Sequence, residues 1–157
     1  MTDTSNLPDP AIEWRRSPGQ VPYREALAEQ DARNAALAQG EGQELVWMLE
    51  HPPVYTAGTS ADAAELVDPR FEVVDTGRGG RYTYHGPGQL VAYPLVELPD
   101  ANGRTQSDGG LPDSVGWVCL LEQVLIDTVA RFGITAGRNA GYPGVWVGVG
   151  TPAAAKI

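Results

Sequence analysis

The stretch Gly77 to Tyr93 (GRGGRYTYHGPGQLVAY) constrains this chain more than any other. Five glycines and a proline within 17 residues leave room only for short extended runs between turns. Arg81 to His85 and Gln89 to Leu98 are the two β-rich runs. The Gly86-Pro87-Gly88 spacer between them suits a tight hairpin-like reversal. A regular succession of long strands and crossover helices does not pass through such a segment.

Around it the elements are easier to read. Residues 1–11 are polar, with Pro8 and Pro10, and are expected to be a disordered tail. Tyr23 to Ala38 is rich in Ala, Leu, Glu and Gln and stops at Gly40, which predicts a helix. Glu44 to Glu50 is an apolar run of strand length, and Phe71 to Thr76 alternates as a strand does. Residues 99–113 carry only Ala101 and Leu111 as apolar members, so a polar surface loop is expected there. Ser114 suits an N-cap, and Val118, Leu121, Leu125, Val129 and Phe132 fall on one helical face that ends at Gly133. Pro143 to Val149 reads as a last strand whose partner would follow residue 157, leaving a sheet edge unpaired and apolar surface uncovered. The order helix, several strands, helix, strand predicts an α+β fold with a mixed, mostly antiparallel sheet and flanking helices. The length of 157 residues suits one domain, taken as residues 12–157.

Charge narrows the partners. Twenty acids against 11 bases give −9, which disfavours nucleic acid and anionic membrane as partners. One cysteine forms no internal disulfide, and the N-terminus lacks the basic start and apolar core of a signal peptide, so a cytoplasmic location is expected. Two histidines and one cysteine are too few for a usual zinc site, and the phosphate-loop, dinucleotide and nucleophile-elbow motifs are absent.

Against that acidic total, no acid occurs between Asp75 and Glu97. Gly79 and Gly80 permit close backbone approach to a ligand, Arg78 and Arg81 can hold an anionic or carbonyl oxygen, and His85 can donate, accept or stack. The segment suits an acyl or carboxylate site. The plainer reading, in which the glycines only turn, the tyrosines pack and the arginines are solvated, has about equal weight on composition alone.

The run Arg78-Gly79-Gly80, then Thr83-Tyr84-His85-Gly86-Pro87-Gly88-Gln89-Leu90-Val91 and Tyr93-Pro94, resembles the signature of the lipoyl(octanoyl) transferases. Tyr23 to Gln30, Trp47 to Thr56 with Gly58, Leu121-Glu122, Gly144-Val145-Trp146-Val147 and Lys156-Ile157 fall in the order that family shows. The resemblance covers about residues 12–157 and implies a fold similar to lipoate-protein and biotin-protein ligases. It implies transfer of an octanoyl group from octanoyl-acyl carrier protein to a lysine of lipoyl domains, in 2-oxoacid dehydrogenase complexes and the glycine cleavage H protein. The route it implies is a Cys thioester, which needs neither ATP nor metal and so no cofactor. Arg78, Gly79, Gly80, Arg81, Tyr82, Thr83, Tyr84 and His85 would bind substrate, and Lys156 would favour the thiolate of a neighbouring cysteine. That cysteine falls beyond residue 157 in the family, so the chain is expected to be C-terminally truncated and, by itself, inactive.

Cys119 is not taken as a substitute. It lies at the edge of a helical apolar face without an electropositive surround, as a small buried structural residue would. His51, before Pro52-Pro53, is read as a turn residue shaping a pocket wall, His85 as a site residue, and Trp47, Trp117 and Trp146 as core. Arg15, Arg16, Arg78 and Arg81 are the candidates for a basic patch toward an acidic carrier protein. Two other readings remain: a non-catalytic octanoyl- or lipoyl-binding module, and an ATP-dependent ligase of the same fold, the latter disfavoured by the lack of a phosphate loop.

Overall fold

The computed structural model describes residues 12–100, 102, 110 and 112–157. The expected tail at 1–11 and most of the expected loop at 99–113 lie outside the described residues. The chain divides into two compact units, residues 1–97 and 98–157.

In the first unit, β1 (Ile12–Gln20) leads into α1 (Tyr23–Ala38), β2 (Glu44–Glu50), β3 (Val54–Ala57), a single 3-10 turn (Ala63–Glu65), β4 (Glu72–Asp75), β5 (Tyr82–His85) and β6 (Val91–Leu95). These strands form two three-stranded sheets, ordered β1-β2-β6 and β4-β3-β5. β1 runs parallel to β2 and β4 parallel to β3, whereas β6 and β5 are antiparallel to the central strands they join.

The helix predicted at Tyr23–Ala38 is present over those residues. It closes as helix-forming sequence followed by glycine should. Gly40 takes a φ of +71°, its N–H donates to Leu37 O (2.9 Å), and the Glu41 N–H donates to Ala36 O (2.9 Å). β2 is the core strand. Leu45, Trp47 and Leu49 alternate with half-buried neighbours, as one side of a pleated strand must. They stand opposite Leu95, Tyr93 and Val91 of β6, and Ala26 of α1 seals the cluster with Val21 and Leu37 packed beside it.

The run Gly77 to Tyr93 supplies both expected strands, but they make no hairpin. β5 pairs with β3 and β6 pairs with β2, so Gly86-Pro87-Gly88 carries the chain from one sheet to the other. The segment after β2, Val54 to Ala57, is a strand that its short length and its leading Pro52-Pro53 concealed.

In the second unit, α2 (Ser114–Ala130) is followed by an antiparallel sheet of β7 (Ala136–Asn139), β8 (Tyr142–Val147) and β9 (Ala155–Lys156), in that order. The N-cap is Asp113 and not Ser114: its Oδ1 accepts the Gly116 N–H at 2.8 Å, and its negative charge complements the N-terminal end of the helix dipole. The last long strand does not wait for a partner. β8 has β7 on one side and β9 on the other, and Val145 is buried between them. No residue of α2 is fully buried, and Val118 and Leu125 are about half exposed, because three short strands cover little of a 17-residue helix. Cys119 is exposed, which corrects its reading as a buried structural residue. Trp47 is core, as expected, while Trp117 and Trp146 are only half-buried. The mixed α+β class is borne out: four of the six strand pairings among the described residues are antiparallel.

Leu45 is fully buried at the centre of the first unit. Leu45→Ala should therefore lower unfolding free energy by about 2–5 kcal/mol, whereas the same change at the half-buried neighbour Met48 should cost less than half as much. Urea denaturation followed by tryptophan fluorescence measures both.

Candidate functional site

The sheet β4-β3-β5 has two unlike faces. Opposed residues across β3 and β5 share a face, so Tyr55 with Tyr84 lies on one side and Thr56 with Thr83 on the other. The first side is an aromatic cluster of Tyr55, Phe71 and Tyr84 with ring centroids 5.7–5.9 Å apart. The second carries the polar chemistry.

There Arg78 acts as a clamp. Its Nη2 donates to Thr56 Oγ1 (2.7 Å), Thr56 O (3.1 Å) and Thr83 Oγ1 (3.0 Å), and Nη1 donates to Gly79 O (3.1 Å). The planar fork of a guanidinium suits this role, since it reaches several oxygens at once. The glycine loop is held from the other side as well. Gly58 N donates to Arg81 O, Thr59 N to Arg78 O and Ser60 N to Gly80 O, at 2.9–3.2 Å. A side chain at Gly58 would bring its Cβ within 2.3 Å of Gly80 O, so the two loops touch backbone to backbone only because residue 58 is glycine. Gly80 itself has a φ of +89°. Gly79 differs: a Cβ there would meet nothing within 4 Å.

Beside this loop stand four rings. His51 is fully buried at the junction of β2 and β3. Its Nδ1 lies 2.6 Å from Val21 O and its Nε2 lies 2.8 Å from Tyr93 Oη. A carbonyl only accepts, so Nδ1 carries the proton and Nε2 accepts from the tyrosine hydroxyl. The His85 ring lies 5.7 Å from His51 and stacks near-parallel on Tyr23 at 6.1 Å. His85 Nδ1 donates to Gln89 Oε1 at 3.1 Å, which places its lone pair on Nε2.

Burial governs titration here. Desolvation holds both histidines below the ordinary value; the Val21 bond to His51 and the Gln89 bond to His85 oppose it, and for His85 the neighbouring His51 and Arg78 add to the lowering. Burial drives the Tyr93 hydroxyl well above the usual phenol range, so it remains a donor.

Of the residues singled out in the sequence, Arg78, Gly79, Gly80, Thr83 and His85 are brought to this face, and Tyr84 lies on the opposite one. Tyr82 sits across from Ala57. Arg81 is turned to an ion pair with Glu65. Lys156 belongs to the second unit, opposite Trp146 on β9. The proposed basic patch is partly neutralised, since Arg15 is paired with Glu13 and Glu29. Tyr23 and Tyr93 join the cluster without having been singled out as site residues, and His51, read as a turn residue, is its buried centre. A histidine before a strand-breaking Pro-Pro was the available signal. An open groove of about 790 Å³ along β1 and the end of β2 is lined by Arg16, Gln20, Glu50 and Leu90 among others and is separate from the ring cluster.

The model of the lipoyl protein ligase A/B catalytic domain family matches residues 22–157. The chain belongs to that family. Similar proteins include an octanoyltransferase of Novosphingobium aromaticivorans, 56% identical over 86% of this chain and 57% of its own length. One of Maricaulis maris is 54% identical over 88% of this chain and 58% of its own length. One of Rhizorhabdus wittichii is 51% identical over 95% of this chain and 63% of its own length. The chain thus spans somewhat more than half the length of the curated relatives it matches. Among solved structures, a Thermoplasma acidophilum lipoate protein ligase described with its E2 lipoyl domain superposes at a TM-score of 0.56, with 13% identity, over 88% of this chain and 51% of its own. Another T. acidophilum structure, assigned as a lipoate protein ligase, gives 0.57 with 18% identity, over 90% and 53%. At that identity the likeness shows the family fold.

The chain has only two histidines, so each gives a resolved ring signal. Both are expected to titrate below 6.5 in the folded protein. A base whose folded pKa is depressed binds protons more readily when unfolded, so its stabilising contribution is present above pH 6.5 and is lost as pH falls through and below that value. NMR titration of the ring Cε1–H signals, with melting temperatures from pH 7.5 downward, checks both. A ring midpoint at or above the model-peptide value would contradict the burial argument.

Proposed function

We propose that this chain provides the acyl-binding part of an octanoyltransferase, moving an octanoyl group from octanoyl-acyl carrier protein to a lysine of lipoyl domains. The observation that carries this reading is the 51–56% identity to octanoyltransferases over 86–95% of the chain. The geometry is compatible with it. Gly79 has open space where a side chain would stand, which suits approach of a thioester to bare backbone. The rings of Tyr23, His85 and Tyr93 offer apolar surface beside it, and the two neutral histidines add no charge that an uncharged acyl chain would have to displace.

In the reaction, a thiolate attacks the octanoyl thioester carbonyl and expels the carrier's thiolate, which takes up a proton. The target lysine amine then attacks the new thioester, forming the amide, releasing the first thiolate and losing a proton. One thioester replaces another before the amide forms, so no nucleotide is consumed. Lys156 is proposed as the charge that favours the attacking thiolate. Cys119 is not taken as that thiol: it is exposed on α2, its backbone carbonyl accepts from Arg138 at 2.7 Å, and among the described residues no cationic side chain is bonded to its sulfur.

The test separates transfer from ligation. Titrating octanoyl-acyl carrier protein into the chain should shift the NMR signals of Thr83 and His85. Gly79→Val should weaken that response about tenfold or more while leaving the fold intact, because the added methyls meet open space in the unliganded chain. Arg78→Ala should abolish it by freeing the loop. ATP with free octanoate should release no pyrophosphate. Pyrophosphate release would favour a ligase, and undisturbed Thr83 and His85 signals would sink the assignment of this face to the acyl group.

A further inference from the structure

Glu122 is the second group of interest, and its surroundings are not those of a surface helix residue. Its side chain is only 12% exposed and both carboxylate oxygens are engaged. Oε1 accepts the Gly144 N–H at 2.8 Å and Oε2 accepts from Arg138 Nε at 2.9 Å. Arg138 is itself held, donating to Cys119 O (2.7 Å) and Gln123 Oε1 (3.2 Å).

Gly144 faces Lys156 on its other side. Trp146 pairs with Lys156 across β8 and β9, so Gly144, two residues earlier, is the diagonal neighbour on the same face. A Cβ at Gly144 would lie 2.4 Å from Lys156 Cε and 3.0 Å from Nζ. The lysine chain therefore runs across the bare Cα of Gly144, which is free to hold a φ of +107°, and its ammonium ends over the peptide that Glu122 grips.

We infer that Glu122 is a positioning residue for Lys156: it anchors the glycine track on which the lysine chain lies and supplies the counter-charge that keeps the ammonium there. The charged groups on the elements that meet at this point are Glu122 and Asp127 on α2, Arg138 on β7 and Lys156 on β9; Asp127 accepts from Gln123 Nε2 at 2.8 Å, and β8 contributes backbone together with Tyr142 and Trp146. The Gly144 hydrogen bond is the largest influence lowering the Glu122 carboxyl below the ordinary range, with the Arg138 bond and charge and then the Lys156 charge adding to it. A carboxylate so held stays ionised at neutral pH. An ammonium held in place is what a lysine favouring a nearby thiolate requires. The catalytic relevance rests on the role proposed above for Lys156, whereas the geometry does not.

Lys156 is the single lysine of the chain, so protein labelled with 13C at lysine Cε gives one lysine signal, and its NOEs to the Gly144 Hα protons report whether the side chain lies on the glycine track. Glu122→Gln keeps an oxygen for the Gly144 N–H but removes the charge and the acceptor of Arg138, so these NOEs should weaken at least about twofold. Glu122→Ala, which also frees the Gly144 N–H, should weaken them further. A purely structural Glu122 would change the melting temperature of these variants and leave the NOEs of the folded protein where they were. NOEs that are unmoved in both variants overturn the inference. No acyl substrate enters the experiment, so failure here leaves the transferase reading standing, and failure to bind octanoyl-acyl carrier protein leaves this inference standing.

Discussion

His51 is the point through which the first unit is tied together. One buried imidazole bonds the junction of β1 and α1 through the Val21 carbonyl and bonds β6 through the Tyr93 hydroxyl, while its own backbone stands between β2 and β3. In the other direction, Val21 N donates to Glu50 O at 2.8 Å, so the same junction is stitched twice. A buried polar ring with both nitrogens satisfied is stable where an unsatisfied one would be costly. The arrangement also sets the protonation state, since a neutral ring with the proton on Nδ1 meets one acceptor and one donor, and a charged ring would face the tyrosine hydroxyl with a donor.

Around that anchor, the glycine-rich loop is held by what surrounds it more than by its own sequence. Arg78 looks, from composition, like a cation waiting for an anion. In the fold its guanidinium is spent on Thr56, Thr83 and the Gly79 carbonyl. Its service to a ligand is therefore to shape the loop and to lend a charge to the field around His85 and Tyr93. Gly58 has the complementary function, because the backbone contact with Gly80 leaves no room for a methyl group. Two positions some twenty residues apart thus form one device, and only their contact explains why each has the residue it has.

The second unit shows the same economy on a smaller scale. Asp113 caps α2, Glu122 one face further along ties the helix to β8, and Gly144 gives up its side chain to the passage of Lys156. Leu121-Glu122, Gly144 and Lys156 were recognisable in order along the sequence as parts of one resemblance. Their meeting at a single carboxylate was not, because helix and strand periodicity say which side a residue faces and nothing about which residue of another element it meets.

The sequence by itself determined the α+β class, the span of α1, the core strand β2 and the identity of the loop that carries the signature, because each is written in local periodicity, in helix-stopping glycine or in a contiguous motif. Only the tertiary structure decided which strands pair. Gly86-Pro87-Gly88 satisfies the local rules for a hairpin, yet β5 gains Thr56 and Tyr55 of β3 as cross-strand partners and β6 gains Leu45 and Trp47 of β2, and burying that apolar surface outweighs the short loop closure of a hairpin. The partners of β8 were hidden for the same reason: β7 and β9 have four residues and two, too few for alternation to show, and become strands only by bonding to the edges that β8 presents. His51 carried no local signal beyond its place before two prolines, and its importance comes from Val21 and Tyr93, 30 residues before it and 42 after.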